Sequence, residues 1–125
     1  MRFGRLLKFG AVGVTGVIIN TTILYVLSRW VGLPLLLSSA IAVELAIVSN
    51  FIWNNRWTFA CRSRSLARFV KFNVASLVGL TVNVTAVWGL TRAGLYFLIA
   101  NLVGIGVGVA VNYTGSAVWV WRRAT

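Results

Sequence analysis

Apolar residues run almost unbroken through four stretches of the chain, about Leu6–Ser28, Leu35–Asn54, Phe69–Thr91 and Leu95–Val118, and polar residues gather between them. At about 1.5 Å of rise per residue, roughly 20 residues cover the ~30 Å hydrocarbon core of a bilayer, and each stretch has that length. Lipid offers the backbone no hydrogen-bonding partner, so a lone apolar segment crosses as a helix. The pattern predicts an all-α integral membrane protein with four transmembrane helices.

The connecting segments alternate in character. Arg29–Pro34 is short with one basic residue, Asn55–Arg68 is polar with four, and Arg92–Gly94 is minimal. Ten of the twelve lysines and arginines fall in three places: the N-terminal segment (Arg2, Arg5, Lys8), the middle loop with the start of helix three (Arg56, Arg62, Arg64, Arg68, Lys71), and the tail (Arg122, Arg123). Positive residues stay on the cytoplasmic side, which predicts a multi-pass protein with both termini inside. The first stretch is long enough to span and has no small-residue cleavage pattern after it, so it is expected to stay as a helix rather than leave as a signal. Trp30, Trp57, Trp119 and Trp121 fall at helix ends, where an aromatic belt belongs.

Sliding the chain by 63 positions brings Arg5, Lys8, Phe9, Gly16, Asn20, Thr22, Leu27 and Arg29 onto Arg68, Lys71, Phe72, Gly79, Asn83, Thr85, Leu90 and Arg92. With one residue dropped, a shift of 62 brings Gly32, Leu33, Leu36, Asn50 and Trp57 onto Gly94, Leu95, Leu98, Asn112 and Trp119. The chain is thus expected to be one membrane domain, residues 1–125, made of two helical hairpins, repeat one at about 5–59 and repeat two at about 68–121. An even number of crossings per copy makes this a parallel repeat, with both hairpins entering the membrane the same way.

Composition narrows the function. Hydrophobic residues make up 59% of the chain and charged residues 10%, against about 25% charged in soluble domains. The net charge of +11 would point to nucleic acid in a soluble protein, but here the basic segments lie between apolar spans and suit anionic membrane lipids, so no nucleic acid is expected. There is no histidine, one cysteine (Cys61) and one acid (Glu44), which leaves no metal cluster and no Ser/His or Cys/His pair. The protein is expected not to be an enzyme and to need no cofactor.

Several residues are candidates for function. Asn50, Trp53, Asn54 and Trp57 recur at i, i+3, i+4 and i+7, one broad helix face of amides and indoles, with Arg56 beside them as a planar donor set for phosphate. Such a face could hold a polar headgroup or anchor the helix at the interface. Asn112 and Trp119 occupy the same places in the second copy. Lys8 and Lys71 stand near helix starts and suit either a lipid phosphate or topology. Asn20 and Asn83, mid-helix, read as interhelical hydrogen-bonding groups or as the lining of a polar passage. Glu44, midway along helix two with Gly106 as its counterpart, reads as a proton or cation site or as a protonated acid bonded to a neighbour. Gly104 and Gly108 form a GxxxG pattern for packing within the fold or in a dimer.

RLLKFGAVG from Arg5, NFIWNNRWTF from Asn50 and the four-helix plan resemble the GtrA-like family over about Arg5 to Trp121. That family's tryptophan-rich pattern falls on Asn50, Phe51, Arg56, Trp57, Thr58 and Phe59, with one extra residue before Arg56. In the second copy Asn112, Tyr113 and Trp119 match, but Val118 replaces the arginine and Trp121 the phenylalanine; Glu44 lies outside the pattern. The resemblance implies a protein of the cytoplasmic (inner) membrane and translocation of a polyprenyl-phosphate-linked sugar for cell-surface polysaccharide synthesis. The expected partners are that lipid-linked sugar, membrane lipids and a glycosyltransferase; because four helices make a thin wall around a large lipid headgroup, a homo-oligomer, a dimer, is expected too. Two other functions stay open: a scaffold that binds the lipid-linked sugar and recruits a glycosyltransferase, and a small cation or drug transporter using Glu44.

Overall fold

The computed structural model describes residues 2–61, 63 and 65–122. Arg62, Arg64, Arg123 and the side chain of Arg2, assigned above to the cytoplasmic side, lie outside the described residues. Four α-helices account for most of the rest: α1 (Arg2–Tyr25), α2 (Leu35–Trp53), α3 (Leu66–Arg92) and α4 (Phe97–Gly115). No strand occurs among the described residues. With their terminal turns included, the four run Phe3–Val31, Leu35–Thr58, Leu66–Arg92 and Phe97–Val120, each long and apolar enough to cross a membrane. The chain is a multi-pass membrane protein, and its large outward apolar side chains, Leu36 at 85% exposure among them, match a lipid environment rather than water.

The helices fall into two compact units, Met1–Arg62 and Ser63–Thr125. Each is an antiparallel hairpin whose tight turn passes through a glycine with positive φ, Gly32 at 84° in the first and Gly94 at 100° in the second. A side chain there would be strained, because a Cβ crowds the backbone in that region. In hairpin one, α1 contributes Phe9, Val12 and Gly16 to the buried seam, and α2 contributes Ser38, Ala42, Ala46 and Ile47. In hairpin two, α3 gives Phe72, Ala75, Ser76 and Gly79, and α4 gives Ala100, Gly104 and Gly108. Between apolar helices in lipid, close approach and dispersion replace the hydrophobic effect as the cohesive force. Small residues dominate both seams accordingly.

Hairpin two is the tighter. A Cβ on Gly79 would lie 2.9 Å from the carbonyl oxygen of Gly108, and one on Gly108 would lie 2.8 Å from that of Gly79. The Gly104–Gly108 pair therefore serves packing inside its own hairpin. In hairpin one the corresponding α2 positions hold Ala42 and Ala46.

Among the described residues, three helix ends widen into π turns: Val26–Val31, Asn54–Thr58 and Ser116–Val120. The last two coincide under the shift of 62. The first has no counterpart, since α3 stays α-helical to Arg92. Hairpin one holds one more residue between Arg29 and Gly32 than hairpin two holds between Arg92 and Gly94, and the wider turn takes up that residue. At the other end of hairpin two, Ser65 caps α3, its Oγ accepting from the Arg68 backbone N–H at 3.1 Å. The Arg68 guanidinium donates to the Ser63 carbonyl and hydroxyl oxygens at 3.0 Å each.

Candidate functional site

The end of α2 is shaped by hydrogen bonds that the wider turn permits. Phe59 N–H donates to the Asn54 carbonyl at 2.9 Å, five residues back, and Cys61 N–H to the Asn55 carbonyl at 2.7 Å. Thr58 Oγ1 donates to Asn54 Oδ1 at 2.7 Å. Asn54, Asn55 and Thr58 are all buried. Such turns are uncommon and recur at functional positions because they re-aim side chains.

Three side chains at this end of α2 face outward. Arg56 is exposed, and Trp53 and Trp57 are about half exposed. Together with Ala11, Val12 and Thr15 of α1 they line a groove of about 610 Å³. Lys8, one turn before the groove on α1, holds its Nζ 5.4 Å from the centroid of the Trp57 ring, and the Arg5 guanidinium lies 5.4 Å from that of Phe59. A cation over an aromatic face is attracted by the ring quadrupole, worth about 0.5–1 kcal/mol at exposed positions. The groove thus has an apolar floor, two indoles and a rim of positive charge, which is the chemistry of a site for an amphiphile with an anionic head.

Of the sequence candidates, Lys8, Trp53, Arg56 and Trp57 come together here. The amides do not join them. Asn50 packs its carboxamide over Gly16 of α1, so closely that a Cβ there would stand 2.5 Å from Asn50 Oδ1. That oxygen is buried without a hydrogen-bond partner. Asn54 turns inward to Thr58. The expected single face is therefore split: Asn50, Asn54 and Thr58 form an inner row, while Trp53 and Trp57 form the adjoining outer row. The cause is packing against α1, since only compact side chains fit the row that meets Gly16.

In hairpin two, Asn112 is also an interhelical group. Its Nδ2 donates to Ser76 Oγ of α3 at 3.4 Å, and Ser116 Oγ donates to its Oδ1 at 3.4 Å. Lys71 Nζ lies 5.7 Å from the Trp119 ring centroid, the same pairing as Lys8 with Trp57. Trp121 stacks edge-on against Phe72, ring centroids 5.3 Å apart, and both are buried. Asn83 places its Oδ1 over Gly104, buried and unpartnered. Asn20 and Glu44 are half-buried on α1 and α2.

Sequence reasoning missed the groove floor. Its signal was present on α1, where Lys8, Ala11, Val12 and Thr15 recur at helical spacing along one face. The buried pairing of Asn54 with Thr58 also carries a signal, an i, i+4 pair of side chains able to bond each other.

Residues 8–121 match the model of the family described as GtrA/DPMS, transmembrane domain. A dolichol-phosphate mannosyltransferase of Pyrococcus furiosus is 40% identical over 111 residues, which are 87% of this chain and 31% of that protein. The chain therefore spans less than a third of the length of this curated relative.

Proposed function

We propose, because this chain belongs to the GtrA/DPMS transmembrane-domain family, that it binds a polyprenyl-phosphate-linked sugar and carries it across the cytoplasmic membrane for cell-surface polysaccharide synthesis. Arg56, framed by Trp53 and Trp57 over an apolar groove, is the observation that carries this reading. The guanidinium offers paired donors to a phosphate, with the Lys8 ammonium nearby as a second positive charge. Indole faces suit the C–H face of a sugar, and Ala11 and Val12 suit the first isoprene units. A phosphate entering hydrocarbon unpaired is very costly, so holding it against fixed positive charge lowers the barrier to crossing. No bond need form or break, and no catalytic step is assigned to any residue.

The charge asymmetry supports an orientation with both termini and the Arg56 groove on the cytoplasmic side. In this reading residues 1–125 act as one membrane domain of two parallel repeats, assembled as a homodimer among the membrane lipids. The name of the relative supports a polyprenyl-phosphate sugar as the cargo.

The test is reconstitution of the full chain into liposomes carrying a fluorescent polyprenyl-phosphate mannose in one leaflet, with its sidedness followed by an impermeant quencher. Acceleration of at least tenfold over protein-free liposomes, largely lost in Arg56→Gln, is expected. No acceleration by the intact chain discards translocation. Loss in Glu44→Gln with Arg56→Gln unaffected would instead make the protein a cation-coupled transporter.

One further observation favours a second reading. The matched domain is 31% of a relative whose name is that of a transferase. That supports a scaffold that presents the lipid-linked sugar to a glycosyltransferase. Retention of a co-reconstituted glycosyltransferase without accelerated crossing would select it.

A further inference from the structure

We infer that hairpin two carries a second headgroup site, where the end of α3 meets the start of α4. A groove of about 600 Å³ lies between the end of α3 and the start of α4, and its polar lining is Asn83, Thr91 and Arg92 from α3 with Asn101 from α4. Trp88 forms part of the wall, and the Arg92 guanidinium lies 5.4 Å from its ring centroid. Val84, Val87 and Phe97 complete an apolar floor.

The parts repeat those of the Arg56 groove: an arginine, an indole, a threonine and a floor of aliphatic side chains, in nearly the same volume. They are not the repeat counterparts of those parts. Under the shift of 62 the counterparts of Trp53 and Arg56 are Gly115 and Val118, so hairpin two lacks this constellation at its basic end. It has assembled one at the other end instead. There the hairpin-one counterparts are Tyr25 for Trp88, Arg29 for Arg92 and Ser39 for Asn101, without the indole and the second amide.

Charge identifies the occupant. Glu44 is the only acid of the chain, and residues 63–125 contain none, so Arg92 has no carboxylate to neutralise it within its hairpin. At a membrane interface the available anion is a lipid phosphate, which a guanidinium binds through paired donors. Asn101 and Thr91 add hydroxyl-compatible groups beside it, and the aliphatic floor accepts a chain. The occupant is the phosphate headgroup of an isoprenyl lipid. Within hairpin two the groove lies toward the Arg92 end of α3, away from Lys71 at the start of that helix. The identity of the lipid rests on the function proposed above; the existence of a second site does not.

The test titrates the full chain in detergent micelles with geranyl phosphate, following the six tryptophan indole N–H signals by nitrogen-15 NMR, assigned by single Trp→Phe variants. Saturable shifts are expected at Trp88 as well as at Trp53 and Trp57. Arg92→Gln should weaken the Trp88 response at least fivefold and spare the other two, and Arg56→Gln should do the reverse. If Arg92→Gln collapses the spectrum, Asn101→Leu on the other wall serves in its place. Movement of Trp53 and Trp57 without Trp88 overturns the second site and leaves the proposed function standing. Movement of Trp88 alone keeps the second site and removes the first. Silence at all three overturns both. Equal Trp88 shifts with geraniol, or with inorganic phosphate at the same concentration, overturn the lipid-phosphate assignment in favour of a purely apolar groove or a free-anion site.

Discussion

Hairpins one and two each hold a lysine over a tryptophan at positions that correspond under the shift, Lys8 on Trp57 at 5.4 Å and Lys71 on Trp119 at 5.7 Å, and in each that tryptophan lies in a π turn. What surrounds these shared pieces differs. In hairpin one the turn buries Asn54 against Thr58 and exposes Arg56 beside two indoles. In hairpin two the same turn holds Ser116 against Asn112, places Val118 where the arginine would be, and seals its end with Trp121 on Phe72. The shared elements bind helix to helix, and the differing ones decide where a groove opens. The two hairpins thus share their joinery and differ in the surface around it.

The largest effect should come from the arginine. Arg56→Gln is expected to weaken binding of a polyprenyl-phosphate sugar about 10- to 100-fold, in line with roughly 1.5–3 kcal/mol for a hydrogen bond to a charged group. Val118→Arg added to it should not restore binding, because Gly115 leaves no indole in place of Trp53. Restoration, measured by the same binding titration, would make the two ends interchangeable.

Next comes the seam. Gly79→Ala should destabilise hairpin two by about 2 kcal/mol, since its methyl meets the Gly108 backbone, which cannot step aside. Gly16→Ala meets the movable carboxamide of Asn50 and should cost less. Unfolding midpoints in mixed micelles would rank the two, and equal costs would deny that hairpin two is the tighter.

Asn54→Ala should cost about 1–2 kcal/mol by leaving the Thr58 hydroxyl buried without its acceptor. Ser116→Ala, which removes only a 3.4 Å bond, should cost less in the same assay. The smallest effect is the one the hairpins should share. Double-mutant cycles of Lys8 with Trp57 and of Lys71 with Trp119 are expected to give equal couplings of about 0.5–1 kcal/mol. Unequal couplings would show that one of the two lysines has been diverted to another task.

The four helices were legible in the order of residues because hydrocarbon imposes a length and a polarity that no packing can override. Predicted and observed spans agree in number and position; the predicted start of α1 at Leu6 and of α3 at Phe69 moved to Arg2 and Leu66 because basic first turns can be helical at an interface. The correspondences under a fixed shift, such as Lys8 with Lys71 and Trp57 with Trp119, needed no coordinates to be read. Membership of the grooves was not. Nothing in the spacing of Asn50, Trp53, Asn54 and Trp57 says which row meets Gly16, and the extra residue between Arg29 and Gly32 could have lengthened a loop instead of widening a turn. Trp88, Arg92 and Asn101 lie on two helices and share a groove only once α3 and α4 have packed at Gly79 and Gly108. The single chain determined what must lie in the membrane, because transfer from water is a property of each segment by itself. Which side chains turn inward, and so which remain free to hold a ligand, was decided by the surface of the neighbouring helix.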